Sequence, residues 1–241
     1  MRGAKKQIES ENRVLEKGQA LTLPFASPLH AISGFERLSK RKIFDKGAVL
    51  FAEGQTARDV YVVCSGRLKI SMTSAEGRKL IVRIARPGDL LGIHAALTGQ
   101  SYEATAETLS ACQIDIVSRE DLLELLERQK TFGLSVAVAL SRDFTEFLEH
   151  ARGLLMSISA PEKLARLLLN LADQFGRRTT NGISFKTLLT HEEIAQMIGA
   201  SRETVTRSLN MFTRKRFIRP EEGEVLILNH VALSALASQG S

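Results

Sequence analysis

The chain has 241 residues, 44% hydrophobic and 25% charged, with a formal net charge of +6. That is length enough for two modest domains, in a composition ordinary for a globular protein. No run of eighteen apolar residues exists, so no membrane span is expected, and two cysteines, Cys64 and Cys112, offer no metal-ligand set and suit a reducing compartment.

The positive excess sits at the two ends. Residues 160–241 hold eleven Lys/Arg against eight Asp/Glu and residues 1–40 hold seven against four, while the middle is balanced. Such a surface tolerates phosphate without requiring it. The opening residues have no apolar core followed by a small-residue cleavage site, so a cytoplasmic location is expected. Residues 1–34 are polar and broken by Pro24 and Pro28, and predict an arm.

Residues 35–118 predict a β domain. Ala48–Phe51, Val60–Val63, Arg67–Ile70, Lys79–Ile84 and Cys112–Ile116 are short β-rich runs. Gly47, Gly54, Gly66, Gly77, Gly88 and Gly99 separate them at turn spacing. Short strands evenly spaced predict an antiparallel roll or jelly roll.

Residues 119–158 predict one long helix. Ala137, Phe144, Ala151 and Ile158 recur every seven residues, interleaved with Leu140, Phe147 and Leu154. Together they form an a/d seam suited to pairing two copies; the alternative is a helix lying on its own barrel.

Residues 159–241 predict a helical domain with a hairpin wing. Pro161 opens a helix over Glu162–Phe175, closed by Gly176, and RRTTNG reads as a loop. The Thr190…Glu193 spacing is a capping box and starts a further helix. Gly199 can take the positive φ of a tight turn, and Ser201 caps the next helix, whose Val205 and Leu209 point inward. Phe217–Pro220 and Val225–Leu228 predict the wing, and His230–Ala237 a closing helix.

This is the layout of a helix-turn-helix, and its outward residues carry the chemistry. Arg202, Glu203, Thr206 and Arg207 lie opposite Val205 on the second helix. Arginine donates a bidentate pair to guanine, and glutamate accepts from cytosine. Thr190, Ser201 and Thr204 are spaced for phosphate oxygens at helix N-termini. Arg and Glu on a helix face are also common as plain solvated surface; the capping box, Ala195, Gly199, Ser201 and the wing together favour DNA. The expected fold is thus α+β: an antiparallel roll, a long dimerisation helix and a winged helix-turn-helix.

From about residue 35 to 230, and most specifically in ASRETVTR, the chain resembles the cyclic-AMP receptor/FNR superfamily of bacterial transcription regulators. The resemblance implies a homodimer on a palindrome, contact with RNA polymerase, no enzymatic activity, and base reading by Arg202, Glu203 and Arg207 at a TGTGA-like half-site. FNR proper has serine where this chain has Thr206 and lacks the first arginine, so the resemblance leans the preference away from FNR boxes.

The sensor half departs from that pattern. The family's phosphate cassette runs Gly-Glu-Leu and then Arg-Ser; here Gly92, Ile93 and His94 are followed by Glu103 and Ala104 at or near the arginine and serine positions. A carboxylate facing a cyclic phosphate repels it, and Leu148-Glu149 stands near the family's adenine-contacting hydroxyl pair. Cyclic AMP in the familiar mode is therefore not expected. Cys112 resembles a central cysteine of FNR, but the N-terminal cluster is missing, so both thiols read as apolar filler. His94 falls near an axial ligand of the haem-containing branch without that branch's other ligands. No cofactor is expected, with haem and cyclic nucleotide left open. Two rivals stand beside the main reading: a regulator that needs no ligand, its sensor vestigial, and a small-molecule sensor acting mainly through protein contacts.

Overall fold

Eight short strands follow one another from Lys40: β1 (Lys40–Phe44), β2 (Val49–Phe51), β3 (Asp59–Ser65), β4 (Leu68–Thr73), β5 (Lys79–Ala85), β6 (Leu90–Leu91), β7 (Thr105–Thr108) and β8 (Cys112–Ser118). A helix of six residues, α1 (Ile93–Thr98), stands between β6 and β7. The computed structural model describes residues 38–156 and 159–238. The expected N-terminal arm and seam position Ile158 lie outside the described residues.

The strands make two antiparallel sheets, ordered β1-β8-β3-β6 and β2-β7-β4-β5. Alternation of side chains positions them. In β3, Tyr61 and Val63 enter the core between the sheets with Phe51, Leu68, Ile70 and Ile114. Val60 and Val62 face outward into a second cluster under the helices. The expected roll forms, with β1, β6, β7 and α1 added to the five anticipated strands. β7, Thr-Ala-Glu-Thr, has too little apolar patterning to announce itself.

The single long helix expected over residues 119–158 is two helices. Ser118 caps α2 (Arg119–Arg128) by accepting the Asp121 N–H. At Gln129 the backbone leaves helical space, with φ −126° and ψ 98°, and α3 (Lys130–Met156) restarts. The break lets Leu122 and Leu125 on one side, and Phe132 and Val136 on the other, all bury on the same curved sheet.

The long helix α3 has two working faces. On the seam, Ala137, Phe144 and Phe147 are exposed, joined by Leu134, Val138, Leu148 and Leu155. Leu140 instead packs on the roll cluster, Ala151 is half-buried, and Leu154 lines a cleft against the next helix. A straight helix drifts about 20° per heptad from a 3.5-residue repeat, so a strict seam cannot keep one heading along a helix of this length.

The opposite face is tied to the roll by ions. Arg142 Nη2 donates to Asp89 at 2.9 Å, Arg83 donates to Asp89 at 3.0 Å and to Asp143 at 3.2 Å, and Arg86 donates to Glu146 at 2.9 Å. Burial, against the pull of Arg83, pushes the Asp143 carboxyl up to about 6. The native state therefore holds a proton that the unfolded chain releases, and Asp143 lowers stability as pH rises from about 4 through about 6. Asp143→Asn is expected to remove that downward slope; urea midpoints measured across this range with the same slope in both proteins would refute the assignment.

The remaining chain forms α4 (Ala160–Phe175), β9 (Arg177–Thr179), β10 (Gly182–Lys186), α5 (His191–Ile198), α6 (Arg202–Arg214), β11 (Ile218–Glu221), β12 (Glu224–Ile227) and α7 (His230–Ala237). RRTTNG, read as a loop, begins with strand β9, which pairs with β10 and extends the wing into a four-stranded sheet ordered β11-β12-β10-β9. Its β-forming character is weak because all three β9 residues are exposed. Gly182, at φ 145°, admits the close crossing of β12: a Cβ there would stand 1.9 Å from the Ile227 carbonyl oxygen. The C-terminal lobe docks on the outer face of the second sheet, where Ile81, Ile84 and Leu109 share a core with Leu168, Ile194 and Val205.

Candidate nucleic-acid interface

The turn between α5 and α6 is built by local hydrogen bonds. Thr190 accepts from the Glu193 N–H while the Glu193 carboxylate accepts from the Thr190 N–H, closing the capping box. Gly199 ends α5 in the left-handed region at φ 62°, where any other residue is strained. Ser201 caps α6 by accepting the Thr204 N–H. Ala195, Ile198, Val205 and Phe212 are buried and clamp the two helices together.

The polar residues of α6 separate into two kinds. Arg202, Glu203 and Arg207 are exposed on its first turns. Arg207 is steered by a hydrogen bond from Nη2 to the Thr204 hydroxyl at 3.1 Å. Glu203 is held below the ordinary carboxylate range, first by its own backbone N–H and next by the Ser201 hydroxyl. It is a full anion near neutrality, as an acceptor for a cytosine amine must be. Thr206 is half-buried, and its hydroxyl donates to the Arg202 carbonyl at 3.0 Å. Thr190 and Ser201 are exposed beside the helix starts, with Thr204 half-buried behind them.

One neighbour escaped the sequence reading. His191 Nδ1 lies 2.9 Å from Thr206 Oγ1. Because that hydroxyl spends its only proton on Arg202, Nδ1 is the donor in this pair. The signal was present only as an i, i+15 pair across a turn, which no periodicity exposes.

The capping glutamate also has a second, distant partner. Lys69 on β4 donates to Glu193 at 2.8 Å and contacts Glu107 on β7 at 2.9 Å. Lys69 and Glu107 are register neighbours on the sheet face that the C-terminal lobe covers. Burial opposes the charge on both Lys69 and Glu193, and hydrogen bonds outweigh it: those to Glu107 and Glu193 hold the ammonium above its ordinary range, and those from Lys69 and Thr190 hold the Glu193 carboxyl below. Alongside, Arg67 stacks 3.9 Å over the Phe175 ring and donates to the Lys186 carbonyl. The helix-turn-helix is thus fastened to the roll.

Comparison with known proteins accounts for both lobes. Residues 41–129 match the family model of the cyclic nucleotide-binding domain, and residues 162–236 match that of the Crp-like helix-turn-helix domain. The chain is 29% identical over 194 residues to the CRP-like cAMP-activated global transcriptional regulator of Mycobacterium tuberculosis (strain CDC 1551 / Oshkosh), covering 80% of this chain and 86% of that protein. It is 28% identical to the transcriptional activator protein FnrA of Stutzerimonas stutzeri, over 90% of this chain and 88% of the relative. A CRP-family transcriptional regulator from Thermus thermophilus superposes with a TM-score of 0.70 at 26% identity, covering 83% of this chain and 97% of that one. The chain belongs to the CRP/FNR family of transcription regulators.

As a CRP/FNR regulator it carries a DNA-binding helix-turn-helix and has no enzymatic role. Its departures from the family cassette lie in residues 92–104. Ile93 is buried in the cluster beneath the helices, and Ala104 in the cluster between the sheets. His94 and Glu103 are more than half exposed and sit 3.4 Å apart at the surface. Of the five residues Gly92, Ile93, His94, Glu103 and Ala104, Ile93 and Ala104 are thus divided between two core clusters while His94 and Glu103 face solvent. Tyr102, the residue before Glu103, packs inward. It is 2% exposed, stacked 4.2 Å from Phe51, and its hydroxyl donates to the Asp59 carbonyl at 2.7 Å. A Cβ on Gly92 would lie 2.7 Å from its ring.

These residues do not fit the groups the family suggests. Residues 92–104 contain no Lys or Arg to meet a cyclic phosphate. His94 is a surface side chain beside a carboxylate, unlike the desolvated axial ligand that haem needs. The Cys112 thiol is buried against the Ser110 and Arg67 carbonyls, and burial pushes it up into its protonated, inert form. Burial pushes the Cys64 thiol up as well.

Proposed function

We propose that this CRP/FNR regulator is a homodimer that reads a palindromic TGTGA-like site through Arg202, Glu203 and Arg207. Thr206 gives an apolar contact, and Thr190, Ser201 and Thr204 position phosphates. In this reading residues 35–118 are the effector-type domain, 119–158 carry the dimer helix and 159–241 the DNA-binding domain. It acts in the cytoplasm with RNA polymerase as partner. The observation that carries the reading is the exposed, ionised Arg202-Glu203…Arg207 face on the first turns of a capped recognition helix. Two-fold pairing is supported by α3, which holds Leu134, Val138, Phe144, Phe147, Leu148 and Leu155 among the exposed large hydrophobic residues.

A second element of the proposal is that DNA binding does not require cyclic AMP. The buried Tyr102 stack and the outward Glu103 favour it over a nucleotide-gated regulator. Fluorescence anisotropy with a TGTGA palindrome tests both. Specific binding, unchanged by cyclic AMP, is expected; no preference for the palindrome over scrambled DNA under either condition overturns the reading. Arg207→Ala is expected to lose about 1–3 kcal/mol of discrimination at one guanine of each half-site. A uniform loss on all sequences would assign Arg207 to phosphate instead.

A further inference from the structure

A cleft at the junction of α3, α4 and α5 is unused by anything described above. Glu149, His150, Gly153 and Leu154 of α3 form one wall, Lys163, Arg166, Leu167 and Asn170 of α4 the other, and Met197 and Ile198 of α5 the floor. Gly153 faces Arg166, whose Cδ would lie 3.4 Å from a Cβ built there, an ordinary contact distance. The free space is about 40 Å³, room for about three water-sized groups.

Its lining is polar and incompletely satisfied. His150 Nε2 and Arg166 Nε are both buried without a hydrogen-bond partner among the described residues. Arg166 is held in place from its far end, where Nη2 donates to the Ala237 carbonyl at 2.8 Å. Both atoms are closed to water, so an acceptor in the cleft reaches them only through a local side-chain shift, which would recover the stability that their lack of a partner costs. Arg166 Nε is obligately a donor, His150 Nε2 can be one, and Lys163 adds a full positive charge. Glu149 stands at the exposed rim and is the one carboxylate in the lining among the described residues. Burial keeps the His150 imidazole below its ordinary range, hence neutral at pH 7.

We propose that this cleft is a binding site for a small oxyanion, a phosphate group or a carboxylate, received by Arg166, His150 and Lys163. The occupant bridges α3 to α4 and so fixes the long helix against the DNA-binding lobe. Binding itself is independent of the DNA-reading proposal; only a consequence for operator affinity rests on it.

The test uses full-length protein and sodium phosphate, sodium acetate or sodium chloride at matched ionic strength. Thermal unfolding is followed in wild type, Lys163→Gln, His150→Leu and Arg207→Ala, the last removing a phosphate-attracting group on the DNA face. A midpoint that rises and saturates with phosphate over chloride is expected in wild type and Arg207→Ala. In Lys163→Gln and His150→Leu the apparent affinity should fall roughly tenfold, the loss of one charge-assisted hydrogen bond. The His150 imidazole, followed by NMR, should titrate at higher pH with phosphate present. Acetate matching phosphate identifies a carboxylate-type site, and phosphate alone a phosphate-type site. Equal midpoints in all three salts, or equal responses in all four proteins, would mean that the cleft holds only water and overturn the proposal.

Discussion

Phe144→Glu combined with Phe147→Glu is expected to convert the protein to a monomer and to abolish tight binding to a palindrome. Both rings stand out from α3 at 63% and 50% exposure, on a helix whose other face is already committed to the roll through Leu140, Arg142, Asp143 and Glu146. A symmetric dimer would cover two such rings per protomer. At about 1.5–3 kcal/mol for each buried phenylalanine, the four together account for as much as about 6–12 kcal/mol of association. The charged replacements add a desolvation penalty. Losing one of two linked half-site contacts lowers avidity by about 10²–10⁴-fold, while a single half-site should be bound as before. Sedimentation equilibrium checks the first statement and anisotropy on full and half sites the second. An intact dimer in the double variant would mean that the exposed stripe is not the interface.

Lys69→Met should destabilise the fold and loosen its two lobes at once. Among the described residues, the lysine is the only cation bonded to both Glu107 and Glu193, and all three side chains are at least three-quarters buried. Removing one member of a buried ion cluster leaves uncompensated charge, which costs about 3–5 kcal/mol; with part of the cluster still reached by solvent, about 3 kcal/mol is expected here. The pH dependence gives the sign. In wild type the depressed Glu193 carboxyl stabilises above its unfolded value, and that contribution is lost as pH falls. In Lys69→Met the Glu193 carboxylate loses the partner that kept it ionised and is relieved by taking up a proton, so the deficit should shrink below about pH 5. Chemical denaturation at pH 7 and pH 4.5 reads this out. A deficit that is equal at both values would show that the methionine perturbs packing rather than charge.

The two variants probe different kinds of legibility. The seam was readable because residues seven apart share a helix stripe whatever the surroundings. Which members of that stripe meet solvent was not, because the roll claims Leu140 and the α4 junction claims Leu154. The helix-turn-helix was readable almost to the atom, since the Thr190–Glu193 box, Gly199 and Ser201 act within four residues of themselves. The latch on that same Glu193 was invisible: Lys69 lies 124 residues away.

The cassette teaches the same lesson from the other side. Its departure from the family pattern was visible in Ile93 and Glu103, but the reason the segment closes up was not. Tyr102 decides it, through a stack on Phe51 and a hydrogen bond to Asp59, both more than 40 residues earlier in the chain. His191 escaped notice likewise, since its link to Thr206 crosses the turn.

The sequence by itself determined the order of the lobes, the helix-turn-helix and its caps, because helix starts, tight turns and amphipathic periods are encoded in neighbours that any folded or partly folded chain brings together. Tertiary structure alone decided how the lobes are fastened, how residues 92–104 are packed and where α3, α4 and α5 leave a polar cleft. Those outcomes depend on which faces of distant elements are pressed together, and burial changes the energy of a lysine, a tyrosine or a histidine only once that contact exists.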